Sequence, residues 1–307
     1  MRRIICFVVV LLIGLANSAC GSPTAKLTVK VVDEQGVPIQ GAMTFVSFSK
    51  PNYSGIGVAD ILKEGKSDKE GSFSSQSNTM NYIGVSAKKE GYYHSDVNYK
   101  FTSSSRLPNR WKPWNPTVEV VLKKKRNPVP MYHKFVEWEP VPELNEPVGY
   151  DLEKGDWVVP YGKGLNSDFI FEVNSDQRAW TDYNSSYKLT FSNEKDGIQE
   201  FVFDKDDKSY YKWLFEALQD GYQQLMSKFR NDSPQTGLQT NEKKGINYIF
   251  RVRTQTDKDG KIIAAKFGKI EGEIRIIPGK INFSYYFNPD GTRNLEEDPQ
   301  RNLFKNK

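Results

Sequence analysis

Two cysteines, Cys6 and Cys20, and two histidines, His94 and His133, are all that this 307-residue chain offers for thiol or imidazole chemistry. Two imidazoles exclude a three-histidine zinc site and leave any serine-histidine-aspartate triad dependent on one isolated ring. Neither histidine sits in H-E-x-x-H or related ligand spacing, so both are expected at a surface or an interface. What remains for catalysis is carboxylates. Asp151 with Asp156 and Glu137 with Glu139 are close in sequence, and glycoside hydrolysis needs only two acids about 5–10 Å apart. Residues two apart on a strand share a face at ~6.5 Å, but so does any surface pair, and the spacing alone assigns no reaction. The run Asp257-Lys258-Asp259-Gly260 lacks the spaced ligands and distal Glu of a calcium loop. Residues 155–164 lack the G-x-x-x-x-G-K-[ST] pattern of a phosphate loop. No catalytic residue, metal site or cofactor is therefore assigned.

Binding chemistry has two candidate locations. Trp111-Lys112-Pro113-Trp114-Asn115-Pro116 is aromatic and stiff, and Trp111 and Trp114 suit either a sugar-stacking platform or the packing of a domain junction. Asp151, Asp156, Trp157, Tyr161 and Lys163 combine aromatic faces with charged edges, as a ligand rim does, or form a structural loop.

These residues leave the cytosol if the N-terminus is read at face value. Arg2 and Arg3, the apolar run Ile4 to Ile13 and the small or polar residues 14–19 form a secretion signal. The run is shorter than the about 20 residues a membrane-spanning helix needs. Leu15 to Cys20 resembles the lipobox of bacterial lipoproteins, which implies that Cys20 carries diacylglycerol and becomes the new N-terminus. The alternative is ordinary cleavage after Ser18 or Ala19 and a soluble secreted or periplasmic protein with a free thiol. An oxidising compartment uses cysteines in pairs or not at all, so a lone one needs such a reason. Two or more acyl chains hold firmly where one does not. The expected partners are thus a membrane, through the anchor, and an envelope polysaccharide or protein. The formal charge is +5, falling to +3 once Arg2 and Arg3 depart, with acids interleaved among bases, and no nucleic acid is expected. The basic run Lys123 to Arg126 reads as a solvated linker or as a contact with anionic lipid or polysaccharide.

The positioning elements are strands. Leu27-Val29-Val31, Val118-Val120-Leu122, Phe169-Phe171-Val173, Tyr187-Leu189-Phe191, Tyr248-Phe250-Val252, Ile274-Ile276 and Ile281-Phe283-Tyr285-Phe287 alternate with polar residues. Turn formers separate them: Asp33 to Gly36, Asp68 to Gly71, Asp196-Gly197, Asp257 to Gly260 and Asn288 to Gly291, each read as a hairpin turn. From Ser209 to Phe229, Tyr211, Leu214, Phe215, Leu218, Tyr222, Leu225 and Met226 fall at helical spacing, although Gly221 costs such a helix ~1 kcal/mol. A short or kinked helix and a long loop with aromatic anchors both fit. The fold class is all-β, two sandwiches with at most one short helix.

The N-terminal module resembles the carboxypeptidase regulatory-like domain, a seven-stranded-type prealbumin-like sandwich. The resemblance rests on Val32-Asp33 with Gly36, Pro38-Ile39 and Gly41-Ala42, on Ser67-Asp68 with Gly71 and Phe73, and on Lys89-Glu90-Gly91-Tyr92. In carboxypeptidases this module carries no zinc ligand, so the resemblance implies scaffold or recognition duty and no proteolysis. Asn127-Pro128-Val129-Pro130 then reads as a boundary. Residues 128–307 resemble a region of uncharacterised envelope proteins, through Val148-Gly149-Tyr150-Asp151-Leu152, Gly155-Asp156-Trp157, Pro160-Tyr161-Gly162-Lys163-Gly164 and Tyr285-Tyr286-Phe287-Asn288-Pro289, which brings no activity with it. The expected organisation is a signal peptide at 1–19, a lipidated tether at 20–26, the regulatory-like sandwich at 27–126 and a β-rich domain at 127–307. The sequence points to a non-catalytic, membrane-anchored envelope lipoprotein that binds polysaccharide or protein, with a carboxylate-dependent glycoside hydrolase as the alternative.

Overall fold

The computed structural model of the chain describes residues 22–51 and 58–304. The expected secretion signal and Cys20 lie outside the described residues. The chain divides into two compact units, residues 1–122 and 123–307, so the break falls at Leu122/Lys123, a few residues ahead of the proline-rich stretch. Among the described residues there is no helix.

The first unit contains β1 (Thr24–Asp33), β2 (Met43–Pro51), β3 (Val58–Lys66), β4 (Ser72–Asn78), β5 (Tyr82–Lys88), β6 (Ser95–Lys100), β7 (Ser103–Arg106), β8 (Asn109–Lys112) and β9 (Thr117–Leu122). One sheet runs β4-β1-β8-β7 with β9 parallel to β1, and the other runs β3-β2-β5-β6. Leu27, Val29 and Val31 face Val46, Phe48, Ile83 and Val85 in one fully buried core, which is the period-two pattern satisfied from both sheets. Thr24 to Lys26, expected in the tether, belong to β1 instead. Ala25 continues the inward row of Leu27 and is completely buried, and the three residues pair with Asn78, Ser77 and Gln76.

Two expected hairpins are corners between sheets. Asp68 Oδ1 accepts the Glu70 and Ser72 N–H groups at 3.0 and 2.8 Å, but the turn joins β3 of one sheet to β4 of the other. Gly71 is required there: its φ is 75°, and a Cβ would lie 2.4 Å from the Val31 carbonyl oxygen. Asp33 caps its own turn in the same way, and the chain then leaves for the second sheet after a single bridge between Val32 and Pro38.

The second unit contains β10 (Val129–Pro140), β11 (Pro147–Asp151), β12 (Asp156–Trp157), β13 (Phe169–Ala179), β14 (Asp182–Thr190), β15 (Gly197–Val202), β16 (Met226–Asp232), β17 (Gln239–Thr240), β18 (Ile246–Thr256), β19 (Ile262–Ile277), β20 (Lys280–Asn288) and β21 (Glu297–Asn302). Its sheets are β15-β18-β19-β20-β10-β21 and β12-β11-β13-β14-β16-β17. Phe169, Phe171, Val173, Tyr187 and Leu189 from one meet Phe250, Ile274, Ile276, Ile281, Phe283 and Phe287 from the other. The core is a mesh of edge-to-face rings, with Phe169 against Phe250 at 5.0 Å and Phe171 against Tyr187 at 5.9 Å. Asp257 to Gly260 closes the β18–β19 hairpin, with Asp257 Oδ1 accepting the Asp259 and Lys261 N–H groups. Asn288 to Gly291 instead leads into the loop before β21.

Ser209 to Phe229 is not helical. Tyr211, Trp213 and Ala217 are buried while Leu218 and Leu225 are exposed, so the working period is two. Gly221 has φ 94°, outside helical space. The segment runs irregularly along the outer side of β15 and β18, bridged at Ile198/Gln223 and Glu216/Asn294, before β16 begins at Met226. Buried Lys269 holds it: the ammonium donates to the Leu295 carbonyl at 2.8 Å and to Glu297, and lies 5.4, 5.1 and 4.8 Å from the rings of Tyr211, Trp213 and Tyr286. The basic run is also partly committed. Lys123 pairs with Asp207 at 2.5 Å and the Arg126 guanidinium lies 3.9 Å from the centre of the Phe215 ring.

Candidate functional site

The predicted ligand rim is a structural hub. Asp151 and Asp156 face each other across β11 and β12, yet their carboxylates are occupied by different partners. Asp151 is fully buried and accepts the N–H groups of Glu153, Lys154, Leu165 and Asn166 at 2.9–3.1 Å and the Arg253 guanidinium at 3.2 Å. Burial pushes its pKa up, but those backbone donors prevail and hold it below its ordinary 3.8. Arg253 also forks onto Asp168 at 2.7 and 2.8 Å and reaches Glu153 at 2.7 Å. Burial raises the pKa of Asp168 against the pull of that guanidinium. The three carboxylates raise the pKa of Arg253, overcoming its own burial. Asp156 accepts the N–H groups of Trp157 and Lys163, both at 2.9 Å, and so ties off the 157–163 loop.

Trp157 packs in the core, edge-on to Tyr150 at 5.2 Å. Tyr161 and Lys163 are exposed on the loop beyond it. Asp151 and Trp157 thus offer no free surface, because the same loop that resembles a rim is pulled inward by Asp151 and Asp156. The second acidic pair is no better poised: Glu137 is exposed, while Glu139 pairs with Lys134 at 3.2 Å. In the first unit Trp111 donates its indole N–H to the Thr79 carbonyl at 2.9 Å and stacks on Phe101. Trp114 carries the Arg110 guanidinium 4.3 Å from its ring centre. One tryptophan is therefore packed against the core and the other has a face taken.

A more open site lies elsewhere in the second unit. Two adjoining hollows of about 720 and 520 Å³ share Trp138, Arg230 and Ile277 as common wall. Trp138 stands in a bulge of β10, where the register against β20 shifts between Val136 and Glu139, and its φ is 45°. A left-handed backbone on a bulky residue costs on the order of 1–3 kcal/mol and persists where the surroundings impose it. The bulge re-aims this one side chain into the cleft. Trp180, at the tip of the β13–β14 hairpin, is 83% exposed and lines the smaller hollow. Arg178 braces that hairpin by pairing with Asp176 and Asp182, both at 2.6 Å.

Some of the cleft's charges are held by neighbours, while Lys244, Arg275, Asp232 and Lys280 make no ion pair among the described residues. Arg230 donates to the Tyr183 hydroxyl at 3.2 Å and to Glu242 at 2.9 Å. Burial pulls its pKa down, yet these partners outweigh that and raise it. Glu273 accepts the Lys228 ammonium at 3.1 Å, the Lys243 N–H at 2.7 Å and the Tyr248 hydroxyl. That carboxylate is thus occupied by a buried cation and two further donors. Two indoles beside charged side chains can stack a ring and hydrogen-bond its edge. Sequence reasoning passed over Trp138 and Trp180, although a tryptophan between Arg178 and Asp182 in an alternating stretch is the mark of an exposed hairpin tip.

No protein-family model matches the chain, and no curated protein matches it. Among solved structures, the chain is similar to 3-chlorocatechol 1,2-dioxygenase from Rhodococcus opacus 1CP at 12% identity, over 34% of this chain and 61% of that one, with a TM-score of 0.26. It thus spans less than two thirds of the dioxygenase. It is similar to the shaft pilin SpaA of Lactobacillus rhamnosus GG at 11% identity, over 90% and 99%, with a TM-score of 0.23. The major pilin subunit BcpA of Bacillus cereus overlaps at 11% identity, over 89% and 100%, with a TM-score of 0.24. Overlaps this slight carry no argument about function, and the all-β assignment rests on the two packed pairs of sheets themselves.

Proposed function

We propose that the protein is a non-catalytic extracytoplasmic lipoprotein, held on a membrane through Cys20, whose C-terminal sandwich binds an envelope polysaccharide in the Trp138–Trp180 cleft. The observation that carries this reading is the strained bulge at Trp138, which spends backbone energy to present an indole to a cavity beside a second, exposed indole. The resemblance of the N-terminal module to carboxypeptidase regulatory-like domains supports a scaffold or recognition role for that unit. The hydrolase alternative gains nothing from Asp151, which is buried and saturated with donors, or from Glu139, which is paired. A protein partner is the competing occupant of the cleft. Full-length protein screened on an array of envelope glycans should bind at least one polysaccharide, and Trp138→Ala and Trp180→Ala should each weaken it about fivefold or more, on the scale of the ~1–3 kcal/mol of a nucleobase stacked on an aromatic side chain. Binding that survives both substitutions, or no glycan binding at all, would contradict the proposal.

A further inference from the structure

We infer a second binding site, for a neutral polysaccharide chain, on the outer face of the sheet that backs the cleft. The register places Asn174, Ser186 and Phe229 in one row across β13, β14 and β16, and Asp176, Asn184 and Asn231 in the next. Because successive strand residues point to opposite faces, these rows face away from the row of Gln177, Tyr183 and Asp232 that lines the cleft. They line a shallow hollow of about 440 Å³, closed at one end by Asn145.

The hollow's chemistry is specific. Among the described residues, the side-chain amides of Asn145, Asn174 and Asn184 and the Ser186 hydroxyl make no hydrogen bond, while Asn231 uses only its oxygen, accepting the Ser185 N–H at 3.3 Å. A primary amide presents a donor and an acceptor side by side, which matches a vicinal pair of sugar hydroxyls. Three such amides, with the Asn231 NH2 as a further donor, around the exposed ring of Phe229 supply hydrogen-bonding edges and one stacking face, the combination a pyranose needs. The one charge in the hollow, Asp176, is paired with Arg178. Anionic glycans and phosphates require free Arg or Lys, and none lines this hollow. A protein interface of useful strength has an apolar centre, and Phe229 is the lone large apolar group here.

Full-length protein in detergent, labelled with ¹⁵N at asparagine, should be titrated with cellohexaose, laminarihexaose, maltohexaose and mannohexaose, with polygalacturonate as the anionic comparison. At least one neutral hexasaccharide should shift the side-chain amide signals of Asn174 and Asn184 saturably. Phe229→Ala and Asn184→Ala should each weaken that probe tenfold or more, while Trp180→Ala, in the cleft, should leave it unchanged. Silence of these amides to all four neutral probes overturns the inference, as does unchanged affinity in Phe229→Ala. Equal binding of polygalacturonate, or loss of the signal in Trp180→Ala, also overturns it. Because Phe229 does not line the cleft, failure here leaves the cleft reading standing, and the reverse holds as well.

Discussion

Replacing Arg253 with alanine should unfold the second unit far more readily at neutral pH than at acid pH. Among the described residues, the guanidinium is the sole cation that touches both Asp151 and Asp168, which are 0% and 3% exposed. Removing one partner of such a buried set leaves uncompensated charge and costs about 3–5 kcal/mol. For a unit of this size, about 2–4 °C per kcal/mol puts the loss at roughly 6–20 °C in the melting of the second unit. The pH dependence follows from sign. Asp151 has a folded pKa below its ordinary 3.8, set mainly by backbone donors that survive the substitution, so its stabilisation persists above that value and drains away only as pH falls through the depressed one. Asp168 is already raised by burial and loses its counter-charge. In the variant, folding therefore takes up a proton at Asp168, and the deficit grows as pH climbs through its raised folded value. Urea unfolding followed by circular dichroism at pH 4.5 and pH 8 measures both effects. A penalty below about 1 kcal/mol, or one that is the same at both pH values, refutes the argument.

Other expectations are briefer. Gly164→Ala should destabilise the second unit by about 1–3 kcal/mol, because a Cβ there would sit 2.8 Å from both the Asp151 Cβ and the Trp157 carbonyl oxygen, and thermal denaturation reads the loss. Lys269→Met should keep the fold and flatten the alkaline limb of the stability profile: burial lowers the pKa of Lys269 below 10.5, so the wild-type native state sheds this proton first and gains stability as pH rises toward that value. Intact-mass analysis of the membrane-extracted protein should find a chain beginning at Cys20 with acyl mass added. A chain beginning at Ala19 or Cys20 without added mass would return the anchor to ordinary signal cleavage.

Much of the architecture was legible because strand periodicity is local. Leu27-Val29-Val31 and Ile281-Phe283-Tyr285-Phe287 alternate in sequence and are buried in space. The turns at Asp68 and Asp257 were equally readable as turns, but whether a turn closes a hairpin or passes between sheets depends on strand partners that no local pattern records. Ser209 to Phe229 misled because its apolar residues satisfy two periods at once. Burial selects Tyr211, Trp213 and Ala217, and the deciding partner, Lys269, lies more than fifty residues downstream. The candidate site was legible only as composition. Asp151 and Trp157 read as a rim, yet Arg253, a hundred residues away and at φ 55°, turns Asp151 inward. Trp138 is aimed by a bulge that exists only against β20, and a bulge has no sequence signature of its own.

The claim on which the account turns is that the second unit grips a saccharide without cutting it. Incubating full-length protein with an envelope polysaccharide that it retains, then separating the mixture by size, tests both halves in one sample. Polymer of unchanged length should co-migrate with protein, and co-migration should be abolished in the Trp138→Ala, Trp180→Ala double variant. Shortened polymer, or polymer that never travels with the protein, would contradict it.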